Sequence, residues 1–135
     1  MDSAILIQPA NSDQYYEQSK HEIEVLVAGS LLLLNSQLLK LPKMELVTHR
    51  NPRTCLCETK ESLVFITIDG RRKEAAGMTL AEVQQYLKKI GCIDGINLDG
   101  GGSTTMWIKN KGLVNFPSDS SGERPVSNAL LIIKK

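Results

Sequence analysis

The sequence predicts a single α+β domain in which strands dominate and one helix is well marked. Its 135 residues are one domain's worth of chain. The apolar, β-branched run Leu63–Ile68 is typical of a strand, whereas residues 79–91 have the spacing and the caps of a helix. Because further short apolar runs are separated by Gly, Pro, Asn and Ser, we expect a mixed, strand-rich sheet structure over residues 1–135.

Strand and turn signals run through the first half of the chain. The dipeptide Asn35-Ser36 separates two apolar runs and predicts a turn, and Gly29-Ser30 indicates a bulge or a close backbone approach. The continuous run Leu63–Ile68 has the content of a central strand buried on both faces, and we expect it to form a hairpin with Arg53–Glu58. The strands predicted here cover residues 3–8, 25–34, 37–41, 53–58 and 63–68, with a loop or short helix at 11–20 and an irregular connection at 42–52.

The helix is predicted from its caps as much as from its periodicity. Thr79 is a good N-cap, and Glu82 three residues later completes a capping box. Gly91 supplies the C-cap, and lysines in the last turn suit the helix dipole. One apolar face follows from the helical spacing of Leu80, Val83, Leu87 and Ile90. Later strands are expected at 92–98, 105–109, 113–116 and 126–133, with a turn at 110–112 and a polar loop at 117–125.

Three consecutive glycines, Gly100 to Gly102, lie between two apolar runs and contribute no side chain to packing. Glycine loses the most backbone entropy on folding, so this run indicates a loop that needs φ > 0 or approaches a ligand closely. A concave run of N–H groups is a ready anion site, although a tight turn that merely needs glycine explains the same residues. Asp99 precedes the loop, and Ser103 and Thr104 add hydroxyl groups after it.

The middle glycine separates these two interpretations. If φ of Gly101 is negative, the variant Gly101→Ala would obstruct a ligand and melt near the native temperature. If φ is positive, alanine would cost roughly 1–2 kcal/mol of stability. We expect the first outcome.

Composition and charge exclude several classes of function. The formal net charge is +1, so neither nucleic acid nor an anionic membrane is expected as the main partner. The longest apolar run, residues 25–34, is far shorter than the ~20 residues of a membrane span. The acidic start Met1-Asp2-Ser3 does not resemble a signal peptide.

The three cysteines, Cys55, Cys57 and Cys92, are an odd number without the spacing of a zinc site. Cys55 and Cys57 are two apart on a predicted strand and therefore point to the same face. We expect buried free thiols, which leave the redox compartment undetermined.

Polar side chains that packing does not require gather at the ends of the predicted strands. Arginine suits a phosphate because its planar fork donates two parallel hydrogen bonds, and carboxylates can serve acid–base work. Each cluster taken alone is equally explained as a solvated turn. His21 and His49 lie elsewhere in the sequence, so no Ser-His-Asp arrangement can be assembled, and no Walker lysine or G-x-G-x-x-G motif is present. The clusters are residues 53–54, 69–72, 97–105, 118–119 and 123–128.

Three segments, 97–106 (NLDGGGSTTM), 76–82 (AGMTLAE) and 122–129 (GERPVSNA), resemble the phosphodiester glycosidase domain family. Shorter stretches match further parts of the family pattern in the same order, namely NPRT at 51–54, DGR at 69–71 and NFPSD at 115–119. This family includes the lysosomal "uncovering enzyme", N-acetylglucosamine-1-phosphodiester α-N-acetylglucosaminidase, and bacterial proteins associated with exopolysaccharide metabolism. The resemblance is strongest over residues 29–135, and we interpret 1–135 as one such domain.

The resemblance implies hydrolysis of a sugar-1-phosphodiester to a free sugar and a phosphomonoester. Arginines would grip the phosphodiester and glycine N–H groups would contact its oxygens. Asp99 and Glu123 are the candidate catalytic pair, for water activation and for leaving-group or oxocarbenium stabilisation. A sugar-phosphate or glycan substrate and an extracytoplasmic compartment are also implied, and neither a cofactor nor a metal is expected. The candidate binding residues are Arg53, Thr54, Asp69, Arg71, Asn97, Gly100, Gly101, Gly102, Ser103, Thr104, Ser118, Asp119, Arg124 and Asn128.

Two departures from the family pattern keep a second function open. The chain has no counterpart of an upstream Asn-Gly-Gly-Phe-Phe-like motif, and Ser30 stands where the pattern favours proline. A truncated domain would bind carbohydrate or phosphate without turnover, and an uncovered strand edge or apolar patch would favour self-association. A third alternative, a phosphatase or phosphodiesterase attacking phosphorus, would need a metal cluster that the sequence does not show.

Overall fold

The computed structural model describes residues 29–132. These residues form a five-stranded antiparallel sheet with a helix packed against it, and a separate two-stranded hairpin. The predicted α+β class is confirmed, because strands dominate and one helix of ten residues stands out from a second helix of four. The predictions for residues 3–8, 11–20 and 25–28 lie outside the described residues.

The elements follow one another along the chain with short connections. The elements are β1 (Leu31–Leu34), β2 (Gln37–Leu38), α1 (Glu45–Thr48), β3 (Arg53–Glu58), β4 (Leu63–Ile68), α2 (Leu80–Lys89), β5 (Asp94–Asn97), a 3-10 helix (Gly101–Ser103), β6 (Trp107–Ile108) and β7 (Gly112–Leu113). In the five-stranded sheet the strand order is β2-β1-β5-β3-β4, and every neighbouring pair is antiparallel. The last strand of this sheet in sequence, β5, is therefore inserted between two strands that come earlier in the chain.

The hairpin of β3 and β4 has the predicted bounds, and its register runs from Arg53 opposite Ile68 to Glu58 opposite Leu63. Among residues 29–132, β4 lies at the end of the strand order and all six of its residues are half-buried, which differs from the central, fully buried position predicted for it. A continuous apolar run is expected for a central strand, but two partly covered faces of an edge strand favour the same residues.

The turn at Asn35-Ser36 is confirmed, with φ values of 50° and 63° that suit a tight hairpin. The close backbone approach predicted at Gly29 is also confirmed, because a Cβ there would lie only 2.7 Å from the Asn97 carbonyl oxygen. The pairing of β1 with β5 shifts register between Leu31 and Leu33. The sheet is thus irregular at the point where the glycine allows β1 and β5 to converge.

The helix α2 has the predicted capping box. The Thr79 hydroxyl accepts a hydrogen bond from the Glu82 amide at 3.2 Å, and the Glu82 carboxylate accepts one from the Thr79 amide at 2.9 Å. The C-cap residue is Ile90, and Gly91, which was predicted for that role, follows it with a φ of 86°. None of the helices within residues 29–132 has the length and apolar character needed to cross a bilayer.

One polar residue joins the apolar face of α2 that packs on the sheet. Leu80, Val83 and Leu87 are fully buried, while Ile90, just after the last residue of the helix, is 38% exposed. Gln84 is buried as well, and its Nε2 donates to the Leu32 and Leu39 carbonyl oxygens, each at 2.8 Å. The helix is therefore held on the sheet by apolar burial and by a satisfied polar contact. The core consists of Leu32, Leu33, Val47, Cys55, Cys57, Leu80, Val83, Leu87 and Cys92.

Several predicted bounds were wrong at places where local sequence gives weak signals. The connection at 42–52 contains α1, which is too short to show helical periodicity. The strand predicted at 37–41 ends at Leu38, and the strands of the β6–β7 hairpin have only two residues each. The strand predicted at 126–133 is not present in residues 126–132. Their backbone pairs with no strand in the described part of the chain, and Leu131 and Ile132 are 82% and 77% exposed.

The expectation of three free thiols was wrong. Cys57 and Cys92 form a disulfide with a Cα–Cα separation of 5.7 Å, while Cys55 is free and buried. The pairing follows from the sheet, because the Ile93 amide donates to the Glu58 carbonyl oxygen at 2.7 Å and so brings the end of α2 beside β3. Burial raises the pKa of the Cys55 thiol to about 12, which keeps that sulfur protonated and inert at neutral pH.

We expect reduction of the Cys57–Cys92 disulfide to lower the free energy of unfolding by about 3–4 kcal/mol, because a cross-link over 35 residues restricts the unfolded chain. Urea unfolding with and without dithiothreitol measures the effect. The double variant Cys57→Ala/Cys92→Ala is the control, and its unfolding should not respond to the reductant. Equal stability of oxidised and reduced wild type would contradict the expectation.

Candidate active site

The candidate site is built around residues 51–54, the segment that leads into β3. Asn51 exchanges two backbone hydrogen bonds with Met78, of 3.2 and 3.1 Å. The Pro52 carbonyl oxygen accepts a hydrogen bond of 2.9 Å from the Gly101 amide. Gly70 packs so closely that a Cβ on it would lie 2.7 Å from the Pro52 nitrogen. This segment therefore brings together the turn after β4, the start of α2 and the glycine loop.

Arg53 lies at this junction but is only 1% exposed. Its Nε donates to the Met78 carbonyl oxygen, and its Nη2 donates to those of Leu46 and His49, all at 2.8 Å. Burial lowers the pKa of the guanidinium, and the nearby positive charge of Arg71 acts in the same direction. The predicted contact between Arg53 and a phosphate does not agree with this arrangement, since these donors are used inside the protein.

Two of the three loop amides are also engaged inside the chain. The Gly100 amide donates to the Asp99 carboxylate at 2.9 Å, and the Gly101 amide donates to Pro52. Gly101 has a φ of 60°, so the expected negative φ was wrong. The amides of Gly100 and Gly101 therefore do not serve as the predicted phosphate donors in this conformation.

The glycine loop does provide close approach, but the partners are arginine side chains of the same chain. A Cβ on Gly101 would lie 3.2 Å from both terminal nitrogens of Arg71. A Cβ on Gly102 would overlap the Arg124 guanidinium and lie 2.5 Å from an Asp119 carboxylate oxygen. The loop thus gathers three predicted site residues from two distant parts of the sequence.

The two arginines beside the loop differ in their charge environment. Arg124 is paired with Asp119, whose Oδ2 accepts from its Nη2 at 2.7 Å and from its Nε at 2.8 Å. Arg71 instead donates from Nε at 3.2 Å and from Nη2 at 2.9 Å to the neutral Asn51 side-chain oxygen. Among residues 29–132, no carboxylate forms an ion pair with Arg71. Its exposed positive charge is therefore fixed in place without being compensated by these residues.

The turn after β4 is joined to the segment after β7. The Asp69 carboxylate accepts a hydrogen bond of 2.9 Å from the Phe116 amide. The Arg72 guanidinium lies 4.9 Å from the centre of the Phe116 ring. Asp69 thus has a structural contact that connects the turn carrying Arg71 to the polar segment at 117–125.

Other predicted site residues hold the loop in place. The Thr54 and Thr104 hydroxyls form a hydrogen bond of 3.3 Å, and Asn97 is buried with its side-chain Nδ2 donating to the Leu98 carbonyl oxygen at 2.7 Å. Asn115 was not among the predicted residues, although its segment NFPSD carries part of the family resemblance. It is buried, accepts from the Met106 amide at 2.7 Å and donates to the Thr104 carbonyl oxygen at 2.9 Å.

The candidate catalytic carboxylates are both exposed. Asp99 is beside the glycine loop, and Glu123 directly precedes Arg124, which contacts Gly102. Their predicted partnership remains a prediction, as do the roles of Ser103 and Asn128. The Ser118 hydroxyl is buried and has no hydrogen-bond partner in the described part of the chain. No group of three or more His, Cys, Asp or Glu side chains within 29–132 is arranged to hold a metal ion.

Comparison with known proteins decides the family. The sequence profile described as "Phosphodiester glycosidase" matches residues 2–133, nearly the whole chain. The chain belongs to the phosphodiester glycosidase family. This assignment confirms the resemblance identified from the sequence motifs.

Individual members of the phosphodiester glycosidase family match over parts of the chain. The N-acetylglucosamine-1-phosphodiester alpha-N-acetylglucosaminidase of Bos taurus is 40% identical over 62 residues, which are 46% of this chain and 11% of the bovine protein. The catalytic domain of the zebrafish protein of the same name, auto-inhibited by its pro-peptide, gives a TM-score of 0.55 at 28% identity over 72% of this chain and 35% of that one.

A bacterial structure extends the comparison. A Burkholderia pseudomallei protein thought to be exported gives a TM-score of 0.51 at 34% identity, over 56% of this chain and 14% of that one. The phosphodiester glycosidase chain described here thus spans between a tenth and a third of the length of these three relatives.

We expect Arg53→Lys to lower the free energy of unfolding by at least about 2 kcal/mol, because lysine cannot reach three carbonyl oxygens with one planar fork. Arg71→Lys is the matched control, and its exposed site should change stability by no more than about 0.5 kcal/mol. Thermal and urea unfolding of both variants test this contrast. A stable Arg53→Lys protein would show that the buried guanidinium does not hold the junction.

Gly101→Ala should lower the free energy of unfolding by about 1–2 kcal/mol, because alanine is strained at a φ of 60°. Gly112→Ala is the matched control, since Gly112 has a φ of 76° and open space where a Cβ would lie. Any additional loss in Gly101→Ala reports the displacement of Arg71 from the loop. A native melting temperature for Gly101→Ala would contradict the positive φ.

Proposed function

We propose that this domain hydrolyses the glycosidic bond of a sugar-1-phosphodiester of the N-acetylglucosamine-1-phosphodiester type, releasing a free sugar and a phosphomonoester. Membership of the phosphodiester glycosidase family supports this class of reaction. The observation that carries the proposal for the site is the exposed Arg71 guanidinium, held beside Gly101 by a neutral side chain. An arginine that is fixed in this way, and with which no carboxylate of residues 29–132 forms an ion pair, is suited to the single negative charge of a phosphodiester.

The hydrogen bonds of Arg71 leave donors for a substrate. A guanidinium has five N–H donors, of which Nε–H and one Nη2–H face Asn51. One Nη1 proton and the second Nη2 proton point in parallel from the end of the planar group. That end can donate two parallel hydrogen bonds to two phosphoryl oxygens. Arg71 is therefore the residue to which we assign the phosphodiester contact.

Asp99 and Glu123 are the proposed catalytic carboxylates. One would activate water and the other would stabilise the oxocarbenium-like transition state or the leaving group. A phosphate leaves readily, so protonation of the leaving oxygen matters less than in ordinary glycosidases. A carboxylate separation of ~5 Å in the substrate complex would favour retention of configuration, and ~6.5–9.5 Å would favour inversion.

One alternative function is favoured by a specific observation. Of the three arginines that the sequence predicts around the phosphate, Arg53 is engaged by carbonyl groups and Arg124 by Asp119. A site with one available arginine can bind a sugar phosphate without turning it over. The alternative is therefore a non-catalytic carbohydrate- or phosphate-binding domain.

We also propose an extracytoplasmic location for the phosphodiester glycosidase domain. Disulfides persist in oxidising compartments, so the Cys57–Cys92 bond supports this location. The structural similarity to a Burkholderia protein thought to be exported supports it as well.

The test is incubation with UDP-N-acetylglucosamine in oxygen-18-labelled water, followed by mass spectrometry of the products. The proposed reaction yields free N-acetylglucosamine labelled at C1 and unlabelled UDP, because water attacks the sugar carbon. Labelled phosphate groups would mean attack at phosphorus and would exclude the glycosidase. Saturable binding in titration calorimetry without any product would establish the binding domain instead.

Asp99→Asn and Glu123→Gln should each lower kcat by about a hundredfold or more if the two carboxylates carry the acid–base work. Glu61→Gln, in the exposed turn between β3 and β4, is the matched control and should keep the wild-type rate. Rates and affinities measured on the same preparations separate lost chemistry from lost binding. Wild-type kcat in either site variant would remove that carboxylate from the mechanism.

A further inference from the structure

The Asn51 side chain has a fixed orientation beside Arg71. Its Nδ2 donates to the His49 carbonyl oxygen at 3.3 Å, while its Oδ1 accepts both hydrogen bonds from Arg71. A flipped amide would place its NH₂ group against the Arg71 donors and its oxygen against a carbonyl oxygen, so these partners select one orientation. The backbone hydrogen bonds between Asn51 and Met78 fix the position from which this side chain extends.

The backbone on the Arg71 side is fixed as well. Arg71 has a φ of 57°, a left-handed conformation that a non-glycine residue adopts only where its surroundings require it. The preceding Gly70 is buried against Pro52, the neighbour of Asn51 in sequence. The turn after β4 is therefore held against residues 51–52, and the Arg71 side chain is directed to Asn51.

The charge of the group that accepts the Arg71 hydrogen bonds determines how much net positive charge remains at Arg71. A carboxylate at this position would also accept both hydrogen bonds, but it would place a negative charge about 3 Å from the guanidinium. The Asp119–Arg124 pair, which contacts Gly102 of the glycine loop, shows that arrangement nearby. An amide supplies the same geometry while it leaves the attraction for an anion intact.

We infer that Asn51 is a positioning residue that fixes the Arg71 guanidinium for a phosphoryl group without contributing a negative charge of its own. The inference rests on the proposed function and deepens it by naming the residue that sets the affinity for the phosphodiester. It distinguishes Asn51 from a residue that only stabilises the turn, because an acidic replacement would preserve the contact with Arg71 and weaken the binding of the phosphodiester.

The test compares three variants of the full chain in calorimetric titrations with UDP-N-acetylglucosamine. Asn51→Asp should weaken binding roughly tenfold or more, because the added carboxylate neutralises Arg71. Asn110→Asp adds the same charge in the exposed β6–β7 turn and should bind as the wild type does. Asn51→Ser removes the acceptor without adding charge and should bind more weakly than the wild type, because the guanidinium is no longer fixed.

A second measurement separates positioning from folding. The Arg71 Nε–H signal in a nitrogen-15 NMR spectrum is identified by its absence from Arg71→Lys. It should persist in Asn51→Asp and be lost to solvent exchange in Asn51→Ser. Undiminished binding by Asn51→Asp would overturn the inference, and so would unfolding of both Asn51 variants by circular dichroism.

The inference and the proposed function fail separately. If the wild type binds the probe without hydrolysing it, the proposed glycosidase activity is contradicted, and the binding measurements still decide the role of Asn51. If the wild type hydrolyses the probe and Asn51→Asp binds it with wild-type affinity, only the inference about Asn51 is contradicted. A wild-type protein that does not bind the probe overturns the inference, because a fixed and uncompensated Arg71 would have no function in binding.

Discussion

The buried guanidinium of Arg53 is the interaction on which the geometry of the site depends. Its three hydrogen bonds join α1, the residue that follows α1 and the entrance to α2. Without the guanidinium, each of these carbonyl groups would lose a hydrogen-bond partner, which costs stability. Because Asn51 and Pro52 directly precede Arg53, the same junction fixes the acceptor of Arg71 and the carbonyl that holds the glycine loop. The exposed Arg71 and the glycine loop of this phosphodiester glycosidase domain are thus held in place by a junction with a buried charge at its centre.

Three arginines that look equivalent in the sequence have three different environments. Arg53 is surrounded by carbonyl dipoles, Arg124 is paired with a carboxylate, and Arg71 is held by a neutral amide. The guanidinium suits each of these partners because its charge is spread over a planar group with donors on every edge. Only the third environment leaves positive charge at the surface for an external anion. The group that accepts the hydrogen bonds of an arginine therefore determines whether that arginine is available to bind a ligand or stabilises the fold.

Features that depend on a few consecutive residues could be predicted from the sequence, and features that depend on tertiary neighbours could not. The capping box of α2 and the bounds of β3 and β4 are local and were predicted correctly. The edge position of β4, the Cys57–Cys92 bond and the burial of Arg53 all depend on the strand order, which no short segment encodes. The glycine run illustrates both cases. Its need for close approach was predicted, but Arg71 could not be recognised as the neighbour of Gly101 without the fold.

The insertion of β5 between β1 and β3 affects how the chain folds during its synthesis. Each flanking strand pairs with its own sequence neighbour, and within residues 29–132 the two halves of the sheet are joined through residues 94–97. Contacts so distant in sequence slow folding, because a long loop must close before they form. On the ribosome, the nascent chain would present two separate hairpins with unpaired edges until β5 emerges. Such edges can pair with other chains, so the order of synthesis makes the incomplete chain prone to aggregation.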